Sequence, residues 1–156
     1  MIRFATVDDL ETISRLRYKM FDEIGNAHLL VDDFLDKTVA YYTEQYRLGK
    51  CLHFVKEENG VIVACAGGII RRDPFTQQFF KRCEYGYVMD VYVEPSHRRQ
   101  GIARTLTEKI VDWLRTQDVV LATLHASRFA GTLYQSLGFA SSIEMSLDLR
   151  ADRKTS

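Results

Sequence analysis

Basic and small residues are concentrated in one short stretch, HRRQGIARTL, at residues 97–106. It follows an apolar, strand-like segment and begins a helical pattern, in which apolar residues recur every four positions from Ile102. The first N–H groups of a helix lack backbone acceptors and the helix dipole is positive there, so this start is a candidate anion site. Gly101 and Ala103 carry no side chain long enough to keep a phosphate from the backbone. Three cations suit a ligand with more than one phosphate: Arg98, Arg99 and Arg104.

Two familiar phosphate-binding motifs fit this stretch poorly. The nucleoside-triphosphate loop ends in Gly-Lys-Ser/Thr, a tripeptide that the sequence lacks. The dinucleotide motif needs three glycines after the first strand of a βαβ unit, whereas a single glycine stands here, two-thirds of the way along the chain. Taken by itself, the stretch is equally compatible with a helix start whose glycine only packs and whose arginines are solvated.

Asp90 places a carboxylate in the middle of the apolar segment VMDVYV. A buried carboxylate needs partners, so Asp90 is a candidate general base or substrate anchor, or it bonds neighbouring backbone. The four histidines show no paired helical spacing, and the three cysteines are odd in number and widely separated. We therefore predict no metal site and no disulfide framework, and we expect reduced thiols.

The segments around these residues alternate between strand and helix patterns. Asn59-Gly60 between two apolar runs predicts a tight hairpin, and the aromatic and β-branched residues of 85–93 predict a buried strand. We expect a mixed sheet with helices on its faces. The predicted strands are 2–5, 52–56, 61–70, 85–93, 119–125 and 143–149; the predicted helices are 9–24, 32–48, 101–115 and 127–137; a loop is expected at 71–82 and a frayed tail at 150–156.

The composition is typical of one packed domain. The chain has 156 residues, of which 46% are hydrophobic, and its 21 basic side chains balance 21 acidic ones. This balance gives no indication of nucleic acid or a membrane surface as partner. The N-terminal segment lacks the apolar core of a signal peptide, and no run approaches the roughly 20 apolar residues of a membrane span. The expected location is the cytoplasm.

Two motifs in order carry a family resemblance. The pattern Val93-x₄-Arg98-x₂-Gly101-x-Ala103 resembles the acyl-CoA pyrophosphate loop of the GNAT superfamily of N-acetyltransferases. A second segment, residues 124–140, is similar to that family's later motif, Leu-Tyr-x-x-Leu-Gly-Phe. Its residues here are Leu133, Tyr134, Leu137, Gly138 and Phe139. The resemblance implies an α/β (α+β) fold in a single domain over residues 1–156, with a central, mixed, mostly antiparallel twisted sheet flanked by helices and splayed between the strands at 85–93 and 119–125.

The resemblance also implies acetyl-CoA as the cofactor. The N–H groups from residue 99 or 100 through 104 would hold its pyrophosphate, and the backbone of residues 91–93 would pair with its pantetheine arm. Ser127 stands where the family often has an asparagine, and Ala103 where the loop commonly has a glycine. The implied cofactor-binding residues are Val91, Val93, Arg98, Arg99, Gln100, Gly101, Ile102, Ala103, Arg104 and Ser127.

The implied reaction is direct attack of a primary amine on the acetyl thioester in a ternary complex. Tyr134 would be the acid that protonates the leaving thiolate, and its alternative role is packing on the apolar side of the last helix. The N–H of Val91 or a neighbour would stabilise the oxyanion. The amine needs a base or a water path to lose its proton, and Asp90, Glu84 and His125 are all candidates.

The acceptor amine is not specified by the sequence, and it belongs to a small molecule or to a protein. Specificity is expected from the first two helices and residues 71–84. Three acids near the second helix would attract a cationic amine, or they only favour the helix dipole: Asp32, Asp33 and Asp36. The alternative function is a non-catalytic acyl-CoA-binding sensor or adaptor. Acyl groups other than acetyl and a homodimeric assembly are left open.

Overall fold

The computed structural model describes residues 1–72, 81, 83–128, 130–142 and 145. Five strands form one sheet in the order β1-β2-β3-β4-β5, antiparallel except for the parallel pair β4–β5. The predicted mixed, mostly antiparallel sheet with flanking helices is confirmed. The strands are β1 (Ile2–Phe4), β2 (Cys51–Glu58), β3 (Val61–Arg72), β4 (Glu84–Val93) and β5 (Ala122–Thr123), and the helices are α1 (Leu10–Glu23), α2 (Phe34–Arg47), α3 (Ile102–Thr116) and α4 (Gly131–Ser136).

Helices cover the two faces of the sheet and form two separate cores. On one face α1 and α2 bury Leu10, Ile13 and Tyr42 against alternate residues of β2 and β3. On the other face α3 buries Leu106 and Ile110 against the intervening residues. The four-residue spacing on α3 and the stripe on α1 confirm their amphipathic patterns. Within the described part of the chain, no helix is both long and apolar enough to cross a membrane.

The hairpin between β2 and β3 follows its prediction, with Asn59 and Gly60 at φ of 50° and 78°. β3 continues to Arg72, two residues beyond its predicted end, because Arg71 and Arg72 still pair with the start of β4. Most of the predicted loop and of the last predicted strand, as well as the predicted tail, lies outside the described residues.

Two predicted elements are shorter than the pattern suggested. The strand expected at 119–125 pairs over only Ala122 and Thr123, and Val120 and Leu121 are exposed. The helix expected at 127–137 begins at Gly131, because a turn in which Ser127 accepts a hydrogen bond from the Ala130 N–H precedes it. The apolar and β-branched residues of 119–125 predicted a longer strand, but the length of β5 depends on how far the neighbouring strand pairs with it.

A bulge interrupts β4 in the centre of the sheet. Cys65 pairs with Tyr92 and Gly67 pairs with Met89, so one residue of β3 faces two residues of β4, Asp90 and Val91. Asp90 has a φ of 55°, in the left-handed region that non-glycine residues seldom adopt. Because of the extra residue, Met89 and Asp90 both lie on the face covered by α1 and α2. The bulge therefore directs a carboxylate into that core.

Candidate functional site

The loop between β4 and α3 presents a continuous run of backbone donors. Arg99 and Gly101 have positive φ values of 63° and 76°, and α3 begins directly afterwards. Among the described residues, the N–H groups of 99–104 have no acceptor, and the first helical bond is from the Thr105 N–H to the Gly101 carbonyl, at 3.0 Å. Six consecutive N–H groups at the positive end of a 15-residue helix are therefore available to an anion.

The three arginines of this loop have different environments. Arg98 donates from Nε to the Val93 carbonyl at 2.8 Å and from Nη2 to both carboxylate oxygens of Glu23, at 2.7 and 2.8 Å. This side chain thus ties the end of β4 to α1. Arg104 is shared between Ser136 and Glu108, whereas Arg99 makes no hydrogen bond or ion pair with a described residue. Phosphate contact by Arg98 stays a prediction, and of the three Arg99 is the least engaged.

The two sequence motifs are in contact. Arg104 Nη1 in the first turn of α3 donates to Ser136 Oγ in α4 at 2.8 Å. Tyr134 lies on the buried side of α4 with 8% of its surface exposed, and its ring is edge-on to Phe139 at a centroid distance of 6.1 Å. Burial raises the pKa of Tyr134, so the phenol keeps its proton. Among the described residues its hydroxyl has no hydrogen-bond partner.

Strands β4 and β5 separate soon after they meet. Their parallel pairing joins Gly86 to Ala122 and Tyr87 to Thr123, and the described chain offers no further pairing to this edge of β4. Val91 and Val93 lie on the part of β4 beyond the last pair. Ser127 is exposed in the segment that follows β5. The structure thus leaves an open strand edge that leads to the α3 loop.

Asp90 is the centre of a buried polar network, which we call the Asp90 cluster: Arg17, Tyr42, Tyr46, His53 and Asp90. Arg17 Nη1 donates to Asp90 Oδ1, and the Tyr42 hydroxyl donates to Oδ2 at 2.5 Å. His53 Nε2 lies 3.0 Å from the same oxygen, and His53 Nδ1 lies 2.9 Å from the Tyr46 hydroxyl. Asp90 is 2% exposed. Every oxygen of the buried carboxylate is therefore occupied by a donor.

The cluster keeps Asp90 ionised. Burial alone would raise the pKa of Asp90, but the His53 hydrogen bond, the Arg17 charge and the Tyr42 hydroxyl together lower it below its ordinary value. Burial and the Asp90 charge raise the pKa of Tyr42, so this phenol stays a donor. Gly67 leaves the room for His53, since a Cβ on Gly67 would lie 2.5 Å from His53 Nε2.

Comparison with known proteins assigns this arrangement to a family. The sequence model of the acetyltransferase (GNAT) family matches residues 15–139, which include both motifs and the Asp90 cluster. The chain belongs to the GNAT family.

Relatives and solved structures agree with this assignment. N-acetyltransferase 8 of Homo sapiens is 33% identical over 113 residues, 70% of this chain and 46% of that protein. An L-methionine sulfoximine/L-methionine sulfone acetyltransferase of Salmonella typhimurium is 30% identical over 113 residues, 70% of this chain and 62% of that protein. This chain therefore matches less than half the length of the first relative and under two-thirds of the second. A GCN5-related N-acetyltransferase from Ralstonia eutropha JMP134 superposes with a TM-score of 0.81 at 28% identity, over 96% of this chain and 98% of that one.

The three candidate bases of this GNAT chain differ in their surroundings. Asp90 is enclosed by donors, and Glu84 Oε1 lies 3.0 Å from Lys50 Nζ and 3.6 Å from Arg72 Nη2. His125 is exposed, and its Nδ1 lies 2.7 Å from the Tyr87 hydroxyl, beside the last β4–β5 pair. Among the described residues, His125 Nε2 and Glu84 Oε2 have no partner, whereas both oxygens of Asp90 are engaged.

Sequence reasoning missed the partners of Asp90. Arg17 stands seven residues after Leu10 and four after Ile13, which places a guanidinium on the buried stripe of α1. His53 lies between apolar residues in β2 and is fully buried. An arginine on an apolar stripe and a histidine inside an apolar strand were the available signals, but neither indicates which carboxylate it meets.

Beside the bulge, residues of α1, α2, β3 and β4 line a cavity of about 200 Å³ that is open to solvent on one side. Its lining residues are Arg17, Phe34, Lys37, Thr38, Tyr41, Tyr42, Ile69, Arg71 and Met89. Within the described residues, no group of three or more His, Cys, Asp or Glu side chains converges as a metal site would require.

Proposed function

We propose that this chain is an acetyl-CoA-dependent N-acetyltransferase that transfers an acetyl group to a primary amine. The observation that carries the proposal is the free edge of β4 leading to six unpaired N–H groups at the start of α3. The relatives support the proposal, because both relatives described above are named as acetyltransferases. The Salmonella relative is named for acceptors that are derivatives of the amino acid methionine. A neighbour at 23% identity, a predicted acetyltransferase from Clostridium acetobutylicum solved with acetyl-CoA, superposes with a TM-score of 0.82 and supports the fold.

The donors present suit the cofactor's pyrophosphate. The N–H groups of residues 99–104 would hold it, and Arg99 adds a charge that no described residue engages. Gly101 contributes its positive φ, and a Cβ there would meet no heavy atom within 4 Å. Val91 and Val93 would offer backbone groups to the pantetheine arm, and Ser127 a hydroxyl. The bound thioester supplies an electrophilic acetyl carbonyl.

The chain's own groups would then act around the bulge. The Val91 N–H, displaced from regular pairing by the extra residue, is the proposed donor to the oxyanion. Asp90 holds the bulge in place through Arg17, Tyr42 and His53, and Cys65 Sγ donates to the Asp90 carbonyl at 3.1 Å. We assign Asp90 as a positioning residue, because a carboxylate with a lowered pKa and bound donors is a poor proton acceptor.

His125 is the proposed proton acceptor. Its Nδ1 is oriented by Tyr87, its Nε2 is open, and it stands where β4 and β5 separate. The pair Tyr87–His125 has the arrangement of a base held by a second group. A water between His125 and the amine would serve the same purpose.

Tyr134 is the proposed acid for the departing thiolate. Tyr134 is mostly buried and its phenol keeps its proton, which supports this role. Tyr134→Phe should lower kcat about 100-fold, the range of general acid catalysis, with unchanged acetyl-CoA affinity and thermal stability. Tyr18→Phe, at a 41% exposed tyrosine of α1, is the matched control and should leave kcat unchanged. Wild-type kcat in a folded Tyr134→Phe protein would restrict Tyr134 to packing.

The function itself is tested by two measurements on the purified chain. Titration calorimetry with acetyl-CoA should give saturable binding, and a thiol-release assay with a panel of primary amines should give turnover above hydrolysis. Binding without release for every amine would support a sensor instead. Absence of binding would refute both functions.

A further inference from the structure

We propose that the cavity beside the bulge binds an acceptor that carries a carboxylate as well as the reacting amine: a small amino acid with an apolar or uncharged side chain. This inference rests on the proposed acetyl transfer and specifies its acceptor. Met89 lines the cavity and directly precedes Asp90, so an amine in the cavity is adjacent to the bulge. At about 200 Å³ the cavity is smaller than the roughly 300–1,000 Å³ of sites for drug-sized ligands.

The cavity carries positive charge without a lining carboxylate. Among the described lining residues, Arg17, Lys37 and Arg71 are basic and none is acidic. Asp90 lies behind the wall and neutralises Arg17, which leaves Lys37 and Arg71 for a ligand. An acceptor with only a cationic amine would be repelled here, whereas a carboxylate would be attracted.

Neither available cation is held strongly by a described acid. Lys37 Nζ lies 3.3 Å from Asp33, but the two side chains are 64% and 56% exposed, and such pairs contribute little. Arg71 packs its guanidinium 4.0 Å from the centre of the Tyr87 ring. Stacking on an aromatic ring fixes the planar guanidinium and leaves its edge donors for the two oxygens of a carboxylate. Tyr87 also bonds His125, so the carboxylate site adjoins the proposed base.

The remaining lining residues indicate the rest of the acceptor. Phe34, Tyr41, Ile69 and Met89 provide apolar and aromatic surface for a side chain. The cations would also favour the neutral form of the bound amine, since a like charge lowers the pKa of an ammonium group. A single site thus binds the carboxylate and assists loss of the proton that must precede attack. The acids at the start of α2 do not line the cavity, so they are not part of this site.

The test compares neutral-side-chain L-amino acids, such as methionine and phenylalanine, with their carboxamides in the thiol-release assay. An amide lowers the pKa of the neighbouring amine, so an acceptor site without carboxylate recognition would favour the amide. We expect the acid to have a kcat/KM about 10- to 100-fold higher than the amide, as hydrogen bonds to a charged group provide. Arg71→Gln and Lys37→Gln should remove most of this preference through KM, with little change for the amide.

Arg15→Gln is the matched control, because Arg15 is an exposed arginine of α1 outside the cavity. Equal losses for acid and amide in Arg71→Gln, or a wild-type preference for the amide, would overturn the inference. The same comparison is made by calorimetry with CoA present, and it decides the site even without turnover. If the protein binds acetyl-CoA and releases thiol with other amines but shows no preference for the acid over the amide, this inference alone is refuted. If the protein does not bind acetyl-CoA, the proposed function is refuted.

Discussion

Replacement of Asp90 by asparagine should separate its structural role from a role as base. The amide keeps the size of the side chain but has one acceptor oxygen and an NH₂ group that opposes the donors around it. Arg17 then lacks its counter-charge. The amide NH₂ group stands either in place of the oxygen that accepts from Arg17 or in place of the oxygen that accepts from both Tyr42 and His53. Breaking a buried ion pair typically destabilises a protein by about 3–5 kcal/mol. Because the Arg17 side chain is 25% exposed, we expect the lower end, about 3 kcal/mol.

Thermal and urea unfolding at pH 7 measure this loss. In a chain of 156 residues, about 3 kcal/mol corresponds to a decrease in Tm of roughly 6–12 °C. Glu44→Gln makes the same chemical change in the exposed Arg47–Glu44 pair and should leave the free energy of unfolding nearly unchanged. Tyr42→Phe removes a single donor to Asp90 and should give an intermediate loss.

The pH dependence checks the sign of the effect. The folded-state pKa of Asp90 is lowered, so its stabilisation is fully present above the unfolded-state value of about 3.9 and is lost as the pH falls through the lower folded-state value. The stability difference between wild type and Asp90→Asn should therefore be constant above about pH 5 and shrink in more acidic solution. A loss no larger than that of Glu44→Gln, or a difference that persists undiminished to the lowest pH tested, would refute the reasoning.

Kinetics of the same variant address the base. If Asp90 only positions the bulge, Asp90→Asn should lower kcat while the shape of the kcat/KM profile between pH 6 and 9 is unchanged. Loss of the acidic limb in the variant would instead identify Asp90 as the proton acceptor, contrary to our assignment.

Two glycine substitutions test the loop and the bulge separately. Gly101→Ala should lower stability by about 1–2 kcal/mol, the cost of a left-handed φ for a residue with a Cβ, and should weaken acetyl-CoA binding. Gly60→Ala is the control, because Gly60 has a similar φ of 78° in the hairpin; it should lose the same stability without a change in affinity. Equal acetyl-CoA affinities for the two variants would contradict the loop assignment. A Cβ at Gly67 would clash with the His53 ring, and a Cβ at Gly68 would clash with side chains of α3, so each alanine variant should lose about 1–3 kcal/mol of stability. The rate of thiol release should fall further for Gly67→Ala than for Gly68→Ala. Indistinguishable kcat values for the two variants would show that His53 does not support the bulge.

Local patterns predicted the elements that depend on local rules. Asn59-Gly60 specified the hairpin, because few residues other than Asn and Gly accept its positive φ values. The apolar stripes on α1 and α3 specified helices and the faces that they bury. The run of unpaired N–H groups at residues 99–104 followed from the helix start after Gly101, because such groups exist at any helix start, and their binding of an anion stays a prediction. Each of these features is decided within a few residues of chain.

The features that the sequence did not reveal depend on distant partners. Asp90 meets residues 73, 48 and 37 positions away in Arg17, Tyr42 and His53. The bulge cannot be located from YGYVMDVYV, since every residue there suits a regular strand apart from Gly86 and Asp90. β5 is short because it pairs with β4 only at Gly86 and Tyr87, and the residues of 119–125 do not specify how far that pairing runs. The carboxylate in an apolar strand indicated that something unusual stood there, but not what it was.

Arg17 connects the two sides of the proposed active centre. Its guanidinium lines the acceptor cavity and also neutralises the carboxylate that holds the bulge. With Asp90 intact, the field that a ligand meets comes mainly from Lys37 and Arg71. With asparagine at position 90, the Arg17 charge is no longer balanced, so the cavity becomes more positive while the bulge loses its support. In Asp90→Asn a carboxylate acceptor should therefore bind at least as tightly although it reacts more slowly, which is why KM and kcat report on different parts of one network.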